Sequence, residues 1–390
     1  MRIRSTALAA VAALALAAGI PATTAHAWAD PAAPADAAAR PGDIVASAPS
    51  SFHPLPGQPT NTRAWKIHYR STTAAGAPDV VSGTVIVPQD GRTGPRPLIT
   101  YAVGTVGLDD SCAPSENFPK GTGLEANLIQ QLTLRGWAVV VTDYEGLGTP
   151  GLHTYTVGQS AGYAVLDAAR AAQRLPEAGL SAAGPVGIMG YSQGGQASSW
   201  AAELQGAYAP ELQVKGTATG GVPADLLKVA AFNDGSYGSG LVFMAAAGQD
   251  AAFPELKLDS YLNPAGKLLV DHLKTHCVAI DAAVGSFKRI ADMTTRDPLA
   301  QPDWQARLHQ SKLGRTAPAA PVYQYHAVGD ELIPYAVGKQ LRADWCAKGA
   351  DVDWNPIRVG GHVTGVITEA VAAGNWLADR FAGRPAHGNC

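Results

Sequence analysis

The stretch Pro185-Val-Gly-Ile-Met-Gly190-Tyr-Ser192-Gln-Gly194-Gly-Gln196 decides how this chain is read. Its first part, Val186–Gly190, is a short apolar run, which predicts a buried strand. Its second part opens a helix over Gln193–Leu204. Gly190-Tyr-Ser192-Gln-Gly194 lies between them, a G-x-S-x-G pentapeptide at a strand-to-helix junction. In so sharp a turn, side chains at the two flanking positions would collide with neighbouring backbone, so both are glycine. The turn pushes the Ser192 hydroxyl outward above a helix N-terminus, where developing negative charge is favoured. Ser192 is therefore the candidate nucleophile.

A serine hydroxyl needs a positioned base to take its proton. On such a sheet the partners follow in the order Ser, Asp or Glu, His. His362 stands in Gly360-Gly-His-Val-Thr-Gly365, a glycine-rich loop between an expected strand (Val352–Val359) and the last helix. His387 lies further on, in an expected tail. For the acid, Asp330 follows the expected strand Val322–Val328 at its carboxyl end, where it can hold the imidazole tautomer. Glu331 is its neighbour and first rival, whereas Asp351 and Asp353 fall at the wrong end of a strand. An oxyanion hole needs two donors. The Gln193 amide is one. The other is expected from Val103-Gly104-Thr105-Val106-Gly107: the Gly104 amide, the Thr105 amide or the Thr105 hydroxyl.

Outward from this stretch, strands and helices alternate. Further strands are expected at Ala64–Ser71, Val80–Pro88, Pro97–Val103, Trp137–Asp143 and Val214–Thr219. Helices are expected at Leu124–Arg135, Ala161–Leu175, Val337–Cys346 and Val363–Phe381. Trp137–Asp143 is apolar on both faces, which argues for a parallel sheet covered on both sides. The rhythm breaks between Pro223 and Leu313, where helical signals (Ala224–Ala231, Ala265–Thr275, Ile280–Met293) and apolar glycine-rich pieces replace strands. The fold class is α/β: a doubly wound, mostly parallel sheet over 58–222 and 314–390, with an inserted, mostly helical cap over 223–313. The apolar Leu241-Val-Phe-Met-Ala245 suits either the lining of an acyl slot or ordinary cap core.

The chain has 390 residues, 46% hydrophobic and 16% charged, which excludes an intrinsically disordered protein. Arg2 and Arg4, an apolar run over Ala7–Ile20 and Ala25-His-Ala27 form a secretory leader pattern, with cleavage expected before Trp28. The run is too short to span a bilayer comfortably. Residues 28–57 are expected as a flexible arm. Net charge is −3, and the leader takes two arginines with it, so no basic field is present to hold nucleic acid. Four widely spaced cysteines lack a C-x-x-C motif and suit an exported, disulfide-bonded chain. The favoured pairing is Cys112–Cys277 with Cys346–Cys390, each worth about 4–5 kcal/mol in the chain-entropy view.

Several stretches together resemble the secretory lipase family of α/β-hydrolases, the type of fungal lipase A and its bacterial relatives. They are Gly104-Thr-Val-Gly107, Asp110-Ser-Cys-Ala-Pro-Ser115, Val141-Thr-Asp-Tyr-Glu-Gly146, Ser160–Asp167, the Ser192 pentapeptide, Gly329-Asp330 and Gly361-His362. The resemblance runs from about Pro56 to the C-terminus. It implies an esterase or lipase with a Ser192/Asp330/His362 triad, a helical cap over an acyl pocket, and two disulfides. Relatives often carry Asp or His in the oxyanion loop, where this chain has Val103-Gly104-Thr105. The expected activity is that of a secreted serine carboxylester hydrolase, a lipase acting on ester or lipid substrate at a lipid–water interface. It needs no metal or organic cofactor and is expected to be a monomer. The competing readings are an acyltransferase, deacetylase or peptidase using the same triad, and a non-catalytic secreted binding protein. Asp143 and Glu145 read as loop and capping groups. Lys66 with His68 lacks a partner motif. His272 and His276, spaced i, i+4 without an H-E-x-x-H glutamate, read as a surface pair.

Overall fold

The computed structural model describes residues 40–390, so the expected leader and residues 28–39 of the expected arm lie outside it. Among the described residues nine strands are formed: β1 (Ile44–Ser50), β2 (Thr62–Thr72), β3 (Pro78–Pro88), β4 (Leu98–Ala102), β5 (Ala138–Tyr144), β6 (Pro185–Tyr191), β7 (Gln213–Gly220), β8 (Val322–Ala327) and β9 (Val352–Ile357). They build one sheet in the order β1-β2-β3-β5-β4-β6-β7-β8-β9. β1, β2, β3 and β5 are joined by antiparallel pairs. From β5 through β4 to β9 every pair is parallel. One row of register partners crosses this half: Val140, Thr100, Ile188, Thr217, Val322, Val352. Parallel strands present their carboxyl ends along one edge. Residues just past Ala102, Tyr191, Ala327 and Ile357 therefore meet there although they are remote in sequence.

The central strands owe their place to continuous apolar sequence. All of β4, β5 and β8 is buried, as expected for strands covered on both faces. Helix Gly158–Arg174 lays Val165, Leu166, Ala168, Ala169 and Ala172 against one face, and the Thr100 hydroxyl donates to its Val165 carbonyl at 2.7 Å. Helix His362–Phe381 covers the other face. It packs so closely that a Cβ at Gly187 would stand 2.9 Å from the Phe381 ring.

The stretch 44–50 departs from expectation. It belongs to no loose arm but forms β1, an edge strand whose Ala48 pairs with Lys66 of β2. An edge strand is covered on one side only and needs no sustained apolar run, so its composition hid it.

Between β7 and β8 the regular elements are helical. They are Leu226–Asn233, Ser239–Ala252, Pro264–Leu273, Val278–Gly285, Ile290–Met293 and Pro302–Gln310, with short 3-10 turns. This insertion has its own core of Phe243, Met244, Leu256, Tyr261, Leu273 and Trp304, joined by Leu108 and Tyr155 from the sheet loops. A disulfide between Cys112 and Cys277, 165 residues apart, ties it to the loop after β4. A second, Cys346–Cys390, closes 44 residues at the C-terminal end. Among the described residues, no helix is long and apolar enough to cross a membrane.

Candidate active site

Ser192 follows β6 directly, with φ 60° and ψ −120°. This non-glycine residue in a strained region costs about 1–3 kcal/mol and persists only where its surroundings enforce it. Here they do. The Ser192 amide donates to the Gly220 carbonyl at 3.0 Å. A Cβ on Gly194 would lie 1.9 Å from the Ala102 carbonyl, and one on Gly190 would lie 2.2 Å from that of Gly194. Only glycine lets the helix start pass so close to β4.

Ser192 Oγ lies 2.8 Å from His362 Nε2. The other ring nitrogen, Nδ1, lies 2.8 Å from Asp330 Oδ2. Asp330 Oδ1 accepts the Leu332 and Ile333 amides at 3.0 and 2.8 Å, which fixes the carboxylate plane. Burial pushes the Asp330 carboxyl up. Hydrogen bonds from His326 and His362 and the amide of Ile333 outweigh it and hold the group well below the usual carboxylate range. His362 is also held by its backbone. Its amide donates to Glu331 Oε2 at 2.8 Å, and its carbonyl accepts the Tyr191 hydroxyl at 2.7 Å. Glu331, the sequence rival of Asp330, thus binds the main chain of His362 rather than its ring. His387 is exposed near the C-terminus.

Gln193 is the first residue of its helix, so its amide has no intrahelical partner. Its side-chain amide donates to His153 Nε2 at 2.9 Å. His153 Nδ1 therefore carries the proton and donates to the Glu145 carbonyl at 3.0 Å. Burial pushes His153 down to about 4, so the ring is a neutral wedge beneath Gln193, stacked on Tyr144. In the loop after β4, the Gly104 amide is already bound to Glu125 Oε1 at 2.8 Å, which removes it from the three expected donors. The Thr105 hydroxyl pairs with the Tyr155 hydroxyl at 2.8 Å. His153, Glu125 and Tyr155 lie in no recognisable motif, so sequence spacing gave no signal for them.

The tempting acids at the end of β5 and just past it are accounted for locally. Asp143 is fully buried and accepts the Ser82 hydroxyl at 2.6 Å and the Ser115 amide at 2.9 Å. Glu145 accepts the hydroxyls of Ser160 and Thr154. Burial raises Glu145 from 4.5 to about 7, against the Ser160 hydrogen bond. A carboxyl whose folded value is raised stabilises the fold fully below its unfolded value, and that stability is lost as pH rises through about 7. Glu145→Gln removes the ionisation and keeps an acceptor for Ser160. The variant is expected to gain about 2–3 kcal/mol over the parent at pH 8 and almost nothing at pH 4. Denaturant melts at the two pH values check this, and an equal gain at both would refute it.

Above Ser192 opens a cleft lined by Ser192, Gln193, Thr156, Leu332 and Ile333 from the sheet side and mostly by apolar insertion residues on the other. Leu241, Val242, Phe243 and Ala245 reach it, while Met244 is buried in the insertion's own core. The segment thus contributes both to the cleft wall and to the insertion's core.

A sharp serine turn at the carboxyl edge of a mostly parallel sheet, under a helical insertion, is the architecture of the α/β-hydrolases. The chain belongs to the secretory lipase family, whose profile matches residues 114–389. It is 32% identical over 345 residues to a Mycobacterium tuberculosis protein named "probable inactive lipase", covering 84% of this chain and 75% of that one. It is 30% identical over 378 residues to lipase 5 of Candida albicans, covering 90% and 79%. Among solved structures, Candida antarctica lipase A in its closed state superposes with a TM-score of 0.81 at 22% identity, over 90% of this chain and 85% of that chain. A rice cell wall degrading esterase from Xanthomonas oryzae gives 0.74 at 18% identity, over 88% and 100%. At these identities the structural likeness speaks for the fold.

Proposed function

We propose that this protein is a secreted serine carboxylester hydrolase of the lipase type. The observation that carries the reading is the continuous contact from Ser192 Oγ through His362 to Asp330, each step 2.8 Å. Ser192 Oγ gives its proton to His362 Nε2 and attacks the ester carbonyl carbon. The oxyanion is met by the amides of Gln193 and Thr105. The bond from carbon to the alcohol oxygen breaks, and the alcohol leaves with the proton from Nε2. Water then gives a proton to Nε2 and attacks the acyl-enzyme, releasing the acid and restoring the Ser192 hydroxyl. Asp330 stays ionised throughout and stabilises the imidazolium.

The lipase reading rests on the apolar cleft and on an exposed apolar patch of the last helix. Val363, Ile367 and Val371 share one face of the helix that His362 opens. All three are exposed, as is Val359 just before it. Such a patch suits a lipid–water interface. Relatives named lipases, several of them secreted, support the same reading and export through the leader. One relative's name calls it inactive, so turnover is the property to test.

A fluorophosphonate is expected to add once per chain, on the peptide containing Ser192. Hydrolysis of p-nitrophenyl esters is expected to peak at medium or long acyl length. Labelling elsewhere, or none, would remove the hydrolase reading. A maximum at acetate would leave an esterase and reject the lipase. Transfer to an added alcohol outrunning hydrolysis would favour an acyltransferase.

A further inference from the structure

His272 ends one helix of the insertion, His276 follows in the connection, and Asp281 lies in the next helix, Val278–Gly285. The sequence read the two histidines as a surface pair, but the structure half-buries both and stacks their rings with centroids 3.9 Å apart. One ligand-type atom from each of the three side chains lies within 4.8 Å of the others.

The polar bookkeeping of this cluster is incomplete. Asp281 is fully buried, and among the described residues neither of its carboxylate oxygens has a hydrogen-bond partner. His272 Nε2 is also buried without one. An unpartnered buried carboxylate is costly, and nearly all such groups in folded proteins are paired or bind a cation. His276 is oriented differently: its Nδ1 lies 2.9 Å from the His272 carbonyl, to which it donates. That bond fixes the tautomer and leaves a lone pair on Nε2. A histidine that ligates a metal is commonly held this way, by a carbonyl on its far nitrogen. Asp109, from the loop after β4, adds a second negative charge close enough to interact with both His276 and Asp281.

We propose that His272 Nε2, His276 Nε2 and Asp281 form a binding site for a divalent transition metal, best suited to Zn²⁺, with the His272 ring turned out of its stack on His276 so that both lone pairs meet one ion. Two imidazoles and one carboxylate are a borderline N₂O donor set, which selects zinc, cobalt or nickel over calcium or magnesium. A solvent molecule completes a tetrahedron. The ion is a clip rather than a reagent. His276 precedes Cys277, whose disulfide partner is Cys112, and the Val278 amide donates to the Val106 carbonyl at 2.9 Å. Metal at this point fastens two insertion helices to each other beside the loop that carries Thr105.

The test uses the full mature chain without a histidine tag, stripped with chelator. Calorimetric titration with ZnCl₂ is expected to give one site of micromolar affinity and a higher melting temperature. CoCl₂ is expected to give visible absorption of tetrahedral intensity, which Zn²⁺ abolishes. His276→Gln and His272→Ala are expected to weaken Zn²⁺ binding at least tenfold and to abolish the cobalt band, with metal-free ester hydrolysis unchanged. Asp281→Asn is a third variant, and the two histidine variants keep the test decisive if it fails to fold. No cobalt band with the parent, or equal Zn²⁺ affinity in parent and both histidine variants, would overturn the site. Neither outcome depends on whether the protein hydrolyses esters.

Discussion

Replacing Ser192 by alanine is expected to lower kcat on p-nitrophenyl esters by about 10⁵–10⁶, the scale on which nucleophile deletions act in serine hydrolases. The reason is local. No other hydroxyl is hydrogen-bonded to His362 Nε2 among the described residues, and the imidazole has no second proton to extract. The cleft and the Gln193 amide survive the change, so about 10³-fold over the uncatalysed rate remains from binding and oxyanion contact. Stability should move by less than about 0.5 kcal/mol, because the strained turn is enforced by Gly190, Gly194 and the bond to Gly220 rather than by the hydroxyl. Steady-state kinetics and a thermal melt read both effects. Equal product release from parent and variant would end the enzymatic reading.

The second large effect is expected at Asp330. Asp330→Asn should cost about 10⁴ in kcat with little change in fold. Its carbonyl oxygen can still accept the Leu332 and Ile333 amides. The amide nitrogen then faces His362 Nδ1 as a donor, so the ring must keep its proton on Nε2 and can no longer accept from Ser192. The stability consequence has a definite sign. Asp330 is held below its ordinary value in the folded chain, so its contribution is present above about pH 4 and is lost as pH falls. The variant should therefore melt below the parent at pH 7, with the gap narrowing in strong acid. The double variant with Ser192→Ala should be no slower than Ser192→Ala alone, since the groups act as a unit. Additive losses would show that Asp330 acts outside this chain of contacts.

The central strands and the edge at which Ser192, Asp330 and His362 meet were legible in sequence for one physical cause. Buried parallel strands need continuous apolar runs, and parallel strands send their next residues to the same edge. Where that cause is absent, legibility fails. β1 pairs along one side only and left no run to detect. Helix Ser239–Ala252 was obscured by Gly240 and Gly248, which weaken a helical pattern. Their service is in packing: a Cβ on Gly248 would lie 2.4 Å from the Tyr155 amide, and one on Gly240 would lie 2.8 Å from the Asp281 carbonyl. His153 and Glu125 act through loop geometry that spacing does not encode. The unpaired state of Asp281 is likewise a property of folded surroundings and has no trace in the string.

The insertion leaves the sheet after β7 and returns at its neighbour β8, carrying most of the apolar cleft wall within one continuous stretch. Under the proposed function, the groups that would cleave the bond and those that would fit the ligand thus lie on separate stretches of the chain. Substitutions confined to that stretch can therefore change which molecules are admitted without touching the serine turn or its imidazole partner.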